Sequence, residues 1–169
     1  MKEMKIPEGV SFEVRGNAMV AKGPGGEISK DFNTRLVKID VKDGEVTVTA
    51  LKKERRSIKA AVGAVKSHVT NMLAGAKGEY SKKLQVVFAH FPVSMEVKAG
   101  DVVIKNFLGE KSLRRAKIIN GAKVDVKGQE ITVHGPDKEA VGQTCSNLIG
   151  AARITKRDER VFQDGIYYA

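Results

Sequence analysis

Three runs of basic side chains are the residues in this sequence best suited to chemistry. Lys52, Lys53, Arg55, Arg56 and Lys59 gather around Glu54, Lys105, Lys111, Arg114, Arg115 and Lys117 around Glu110, and Arg153, Lys156, Arg157 and Arg160 beside Asp158 and Glu159. Ammonium and guanidinium groups at that density neutralise the phosphates of a polyanion, and a guanidinium fork does so with two parallel hydrogen bonds. The whole chain points the same way. Its 30 Lys and Arg against 20 Asp and Glu give a net charge of +10, which favours nucleic acid or an anionic membrane face as partner. Aromatic residues make up only 5% and Trp is absent, so stacking of single-stranded bases is disfavoured relative to recognition of folded shape and phosphate.

Other chemistry finds little support. Gly23-Pro24-Gly25-Gly26-Glu27 is a glycine-rich loop, but no Gly-Lys-Ser/Thr follows it, so it reads as a tight turn whose backbone can approach something closely. An RNA sugar-phosphate chain is one candidate for that neighbour. His68, His90 and His134 are scattered: His68 reads as lying on the wet side of a helix, His90 as shaping the bend at His90-Phe91-Pro92, and His134 as a contact residue on a polar face. Cys145 stands alone, cannot form an internal disulfide, and reads as a small core residue. No Ser/His/Asp pairing, Cys/His pairing or zinc spacing is present, so neither an enzyme nor a cofactor is expected. Residues 1–10 carry Lys2, Glu3, Lys5 and Glu8 in place of a signal-peptide apolar core, and no run reaches the roughly 18 apolar residues that span a bilayer. The expectation is a protein that stays where it is made, with no membrane partner.

The framework that must carry the cations is written twice. Val10-Ser11-Phe12-Glu13-Val14-Arg15 recurs 83 residues later as Val93-Ser94-Met95-Glu96-Val97-Lys98, and Val20, Lys22, Gly26 and Glu27 meet Val103, Lys105, Gly109 and Glu110 at the same offset. Ile39-Asp40-Val41-Lys42 matches Val124-Asp125-Val126-Lys127, and Val62-Gly63 with Ser67 matches Val141-Gly142 with Ser146. The 169 residues thus divide into two α+β domains of like fold, 1–81 and 82–169, each of antiparallel strands packed with a helix. Each half holds 15 basic and 10 acidic residues, so both carry +5. The clusters nevertheless sit at different places in the two copies, which is what separate contact surfaces over a shared core would produce.

Within each copy the periodicity gives four strands and then a helix. Val10, Phe12 and Val14 alternate with polar residues, as do Val93, Met95 and Val97, the signature of half-buried strands. Asp43-Gly44 and Gly128-Gln129 are two-residue hairpin signals. Ile58, Ala61, Val62, Val65, Val69 and Met72 form one helical stripe ending by Gly75, and Val141, Thr144, Cys145, Leu148 and Ala152 form the other, opened by Gly135-Pro136-Asp137. Lys82 to Ala89 reads as a further strand bridging the copies, and the tail from Ile154 to Ala169 as mostly loop.

That tail, Arg153-Ile154-Thr155-Lys156-Arg157-Asp158-Glu159-Arg160-Val161-Phe162-Gln163-Asp164-Gly165-Ile166-Tyr167, resembles the C-terminal signature of the large-subunit ribosomal protein L-six family, the L-nine equivalent of eukaryotes. The Ala21 to Glu27 loop, His90-Phe91-Pro92-Val93 and Asn106-Phe107-Leu108-Gly109-Glu110-Lys111 are similar to its archaeal-type members, so the likeness covers nearly the whole chain. The resemblance implies two similar α+β domains and a structural role in the cytoplasmic ribosome. It implies as partners large-subunit ribosomal RNA near the sarcin-ricin loop, neighbouring large-subunit proteins and translation factors docking close by. Relatives often continue with basic residues where this chain closes on Tyr167-Tyr168-Ala169. The RNA-binding residues expected on this reading are Lys105, Lys111, Arg114, Arg115, Lys117, Arg153, Lys156, Arg157 and Arg160, with Gly165 permitting close approach and Tyr167, beside Phe162 and Ile166, pinning the tail. The competing reading is a tandem α+β scaffold that binds other proteins through its wet sheet faces or edges.

Overall fold

The computed structural model describes residues 4–42, 44–51, 55–88, 91–155, 157–158 and 160–169. Asp43, Lys52, Lys53, His90 and Lys156 lie outside the described residues. The chain divides into two compact units, 1–79 and 80–169.

In the first unit, β1 (Met4–Lys5), β6 (Glu45–Ala50) and β5 (Val37–Lys42) form one antiparallel sheet in the order β1-β6-β5. The second sheet is β2 (Ser11–Arg15), β3 (Ala18–Gly23) and β4 (Gly26–Asp31), in sequence order. Lys42 pairs with Glu45, leaving a two-residue connection in which Gly44 takes φ +78°. Helix α1 (Arg56–Lys77) lays Ile58, Val65, Val69, Met72, Leu73 and Ala76 inward. Val65, Val69, Met72, Leu73 and Ala76 pack with Phe12, Met19, Ile28, Val37, Val46 and Val48 of the sheets in one core.

The helix runs two residues beyond the stop at Gly75 that its glycine suggests. Gly75 is itself buried, and the reason lies in the glycine-rich loop. The backbone N–H of Gly25 donates to Ala76 O at 2.8 Å, and a Cβ on Gly25 or Gly23 would stand 2.4 Å from the Gly75 or Ala76 carbonyl oxygen. The loop is glycine-rich because it seats against the C-terminus of its own helix, where a carbonyl would otherwise go unpaired. Its close neighbour is therefore protein.

The second unit repeats the plan with additions. Strands β8 (Ser94–Lys98), β9 (Asp101–Lys105) and β10 (Arg114–Lys117) form one antiparallel sheet, with a short 3-10 turn at Phe107–Gly109. The other sheet has the order β11-β12-β7-β13, from β7 (Tyr80–Val87), β11 (Lys123–Lys127), β12 (Glu130–Gly135) and β13 (Gly165–Tyr168). Helix α2 (Lys138–Ala151) starts where Pro136 and Asp137 predict, the Asp137 carboxylate accepting the Glu139 N–H at 2.9 Å. Val141, Thr144, Cys145 and Leu148 are buried along its stripe, and burial pushes the Cys145 thiol above its ordinary range.

Three expectations change. The strand expected to bridge the copies is β7, which pairs on both sides within the second unit, so it belongs to that core. Each unit has more strands than four because β4 and β10 are too polar to show alternation: Ile28 and Ala116 are the fully buried members of each. The tail is not loop to its end. Ile166 is buried beside β7 and draws residues 165–168 into an edge strand, Ile166 opposite Val86.

Candidate nucleic-acid interface

The expected site residues cluster on three neighbouring parts of the second unit: the β9–β10 hairpin with its 3-10 turn, the end of α2, and the tail. Strand alternation sorts the first group. Val102, Ile104 and Ala116 are core residues, so their side of the sheet is the inner one, and Asp101, Lys105, Arg115 and Lys117 occupy the outer one. On this outer face Arg115 stands opposite Val103 and Lys117 opposite Asp101, with Glu96 and Lys98 on the next strand. The Lys105 ammonium donates to Glu96 at 2.5 Å and Lys98 pairs with the other oxygen at 2.7 Å. These two ammonium groups, Lys105 foremost, hold the Glu96 carboxyl down at about 2. Lys105 therefore reaches the surface with much of its charge already answered. Arg115, Lys117 and Lys111 are exposed and make no ion pair among the described residues.

The equivalent sheet of the first unit is built differently. Lys22, the counterpart of Lys105, pairs with Glu27 at 3.0 Å, and Glu13, the counterpart of Glu96, with Arg15 at 2.8 Å. In the second unit the counterpart of Glu27 is Glu110, and it is engaged elsewhere.

Its partner is Arg114. As the inner-face neighbour of Ala116, Arg114 turns towards α2 and is mostly covered, with 22% of its side chain exposed. Nε donates to Glu110 Oε2 at 2.8 Å and Nη2 to Oε1 at 2.6 Å, a two-pronged pair. Nη1 donates to the carbonyls of Ala151 at 3.0 Å and Arg153 at 2.9 Å, and the guanidinium lies over the Phe107 ring at 4.4 Å. The Arg114 fork holds the Glu110 carboxyl below the usual glutamate range. Sequence reasoning grouped Arg114 with Arg115 as phosphate contacts. The structure turns Arg114 the other way, and period-2 alternation along 114–117 is the signal that separates them.

In the tail, Arg153, Arg157 and Arg160 are exposed. The Arg157 guanidinium lies over the Phe162 ring at 4.8 Å, and its charge also helps to hold the Glu110 carboxyl low. Asp158 organises the bend that follows: its carboxylate accepts the Arg160 N–H at 2.9 Å and its carbonyl the N–H groups of Val161 and Phe162. Gly165 also sits otherwise than expected. It is buried, and a Cβ there would meet the Tyr167 ring at 3.0 Å, so its close approach is to Tyr167. Tyr167 is half exposed, its hydroxyl donating to Gln163 O at 3.2 Å, and with half-buried Phe162 and buried Ile166 it ties the tail to its own unit. The His134 imidazole lies 3.5 Å from the Asp125 carboxylate on the neighbouring strand. Among the described residues no group of three His, Cys, Asp or Glu side chains could hold a metal ion, and no helix is long and apolar enough to cross a membrane.

The fold is that of a duplicated α+β protein, and exposed cations gather on its second unit. The model of the family described as ribosomal protein L6 matches residues 6–78 and 91–165, one stretch in each unit. The chain is 45% identical over 167 residues to the large ribosomal subunit protein uL6 of Methanobrevibacter smithii, an alignment spanning 98% of this chain and 93% of the relative. Against the uL6 proteins of Sulfurisphaera tokodaii and Methanosarcina mazei the identities are 42% and 43%, covering 98% of this chain in both cases and 89% and 94% of the relatives. The chain belongs to the ribosomal protein L6 family and is of its archaeal type. The family is not enzymatic, and a ribosomal protein works in the cytoplasm with the ribosome.

Proposed function

We propose that this protein is a structural constituent of the large ribosomal subunit that binds large-subunit ribosomal RNA near the sarcin-ricin loop, beside the docking site of translation factors and against neighbouring large-subunit proteins. The observation that carries the RNA reading is the exposure of Lys111, Arg115, Lys117, Arg153, Arg157 and Arg160 on one unit while nearby cations, Lys98, Lys105 and Arg114, are paired to carboxylates. Lys156 belongs with them by its place in the sequence, and Tyr167 supplies a rigid edge. Outward guanidinium groups held by a ring or a turn suit phosphates and 2′-hydroxyls across the shallow minor groove of folded RNA, where shape outweighs base sequence.

With about 5 phosphates engaged, the logarithm of affinity falls with the logarithm of salt at a slope of roughly −4. The test in cells is sedimentation: the protein travels with large ribosomal particles and is released by nuclease or high salt. Persistence in protein complexes after nuclease would favour the scaffold reading instead. A footprint on large-subunit RNA then locates the contact, and protection away from the sarcin-ricin loop would refute the placement.

A further inference from the structure

Arg114 does something that neither the charge count nor the family explains. Four of its five N–H donors end on protein acceptors: two on Glu110, one on Ala151 O and one on Arg153 O. Helix α2 has no basic residue in its last turn. At the offset of 79 that superposes the helix stripes it also stops more than a turn short of where α1 ends. The Ala152 and Arg153 N–H groups satisfy Leu148 O and Gly150 O, but the final helix carbonyl, Ala151 O, takes its donor from Arg114, 37 residues away, which also brings a positive charge to this end. The first unit meets the same need with a backbone group, Gly25 N–H to Ala76 O. The loops involved are counterparts, Gly23 to Glu27 and Asn106 to Glu110, so one joint between loop and helix end is closed by two different chemistries. A cleft of about 210 Å³ beside this joint is lined by Leu108, Glu110 and Arg114 together with Ile154, Thr155 and Arg157 of the tail.

We propose that Arg114 is a positioning residue: it clamps the segment from Ala151 to Arg153 to the 106–113 loop and so fixes the direction in which the tail presents its phosphate-binding arginines, without touching phosphate itself. The proposal rests on the reading of Arg153, Arg157 and Arg160 as phosphate contacts. With the clamp released, the tail still reaches the RNA but must be ordered on binding, which lowers affinity without changing the number of phosphates neutralised.

The experiment compares Arg114→Ala, Arg114→Lys and Arg115→Ala in the full chain, by amide hydrogen exchange of the free protein and by salt-dependent binding to a large-subunit RNA fragment. Arg114→Ala should raise exchange at residues 151–157 at least tenfold and weaken RNA binding about tenfold, with the salt slope unchanged. Arg114→Lys should not rescue either readout, because a single ammonium cannot reproduce the fork. Arg115→Ala should leave exchange alone and flatten the slope by about 0.7–0.9. Arg114→Ala flattening the slope as Arg115→Ala does, or Arg114→Lys behaving as the native protein, would overturn the proposal. If Arg114→Ala does not fold, Glu110→Gln weakens the fork while keeping the arginine, and native exchange at 151–157 in that variant overturns it equally. Should no cation change alter the slope while exchange still responds, the RNA reading falls and the clamp stands.

Discussion

At the scale of single residues, what a side chain does here depends on the direction the backbone gives it. Arg114 and Arg115 are adjacent and chemically identical, yet one is spent inside the protein and the other faces outward. The same holds for glycine. A methyl group on Gly25 would meet backbone oxygen at 2.4 Å, which cannot yield, so Gly25→Ala should cost about 1–3 kcal/mol in urea unfolding. Gly63, inside α1 with nothing within 4 Å of a Cβ, should gain roughly 0.5–1 kcal/mol on the same change. Equal effects at the two sites would contradict the packing described. The Glu110 carboxyl, held low by Arg114, gives a pH signature. A folded-state value below the ordinary glutamate value of about 4.3 means its stabilisation is complete above that pH and is lost as pH falls through the lowered value. Its carboxyl resonance should titrate below about 4.3, and a midpoint at or above that would mean that the fork is open in solution.

Elements show where sequence reading works and where it stops. The two helix stripes and the Asp137 cap were legible because burial imposes periodicity and the cap is a local hydrogen bond. The polar edge strands β4 and β10 were not, since an edge strand with one buried side chain has almost no pattern to read. Nor was β13, whose pairing with β7 joins residues about 80 apart and is decided by Ile166 finding the core. Its dependence on one side chain is testable. Ile166→Ala should cost about 2–4 kcal/mol and expose the amides of 165–168 to exchange. Retained protection there would show that the ladder alone holds the strand. The end of α1 was misplaced for a related reason: Gly75 signals a stop locally, but the loop docking on Ala76 O carries the helix past it.

For the whole molecule, the duplication, the excess of cations and the tail signature were all present in the sequence, and they sufficed for the family. The distribution of roles was not, because the clusters are contiguous only in the chain: two of the expected contacts, Arg114 and Gly165, are occupied within the protein, and Lys105 is shared with Glu96. What remains is a smaller set of exposed cations on the second unit, proposed to meet the phosphates of folded RNA. The most direct test of that claim is the salt dependence of binding to large-subunit RNA, measured for the native chain and for Arg157→Ala combined with Arg160→Ala. The native slope should be roughly −4 and the double variant flatter by about 1.5. A double variant with the native slope, or a native chain that does not bind this RNA even at low ionic strength, would contradict the account.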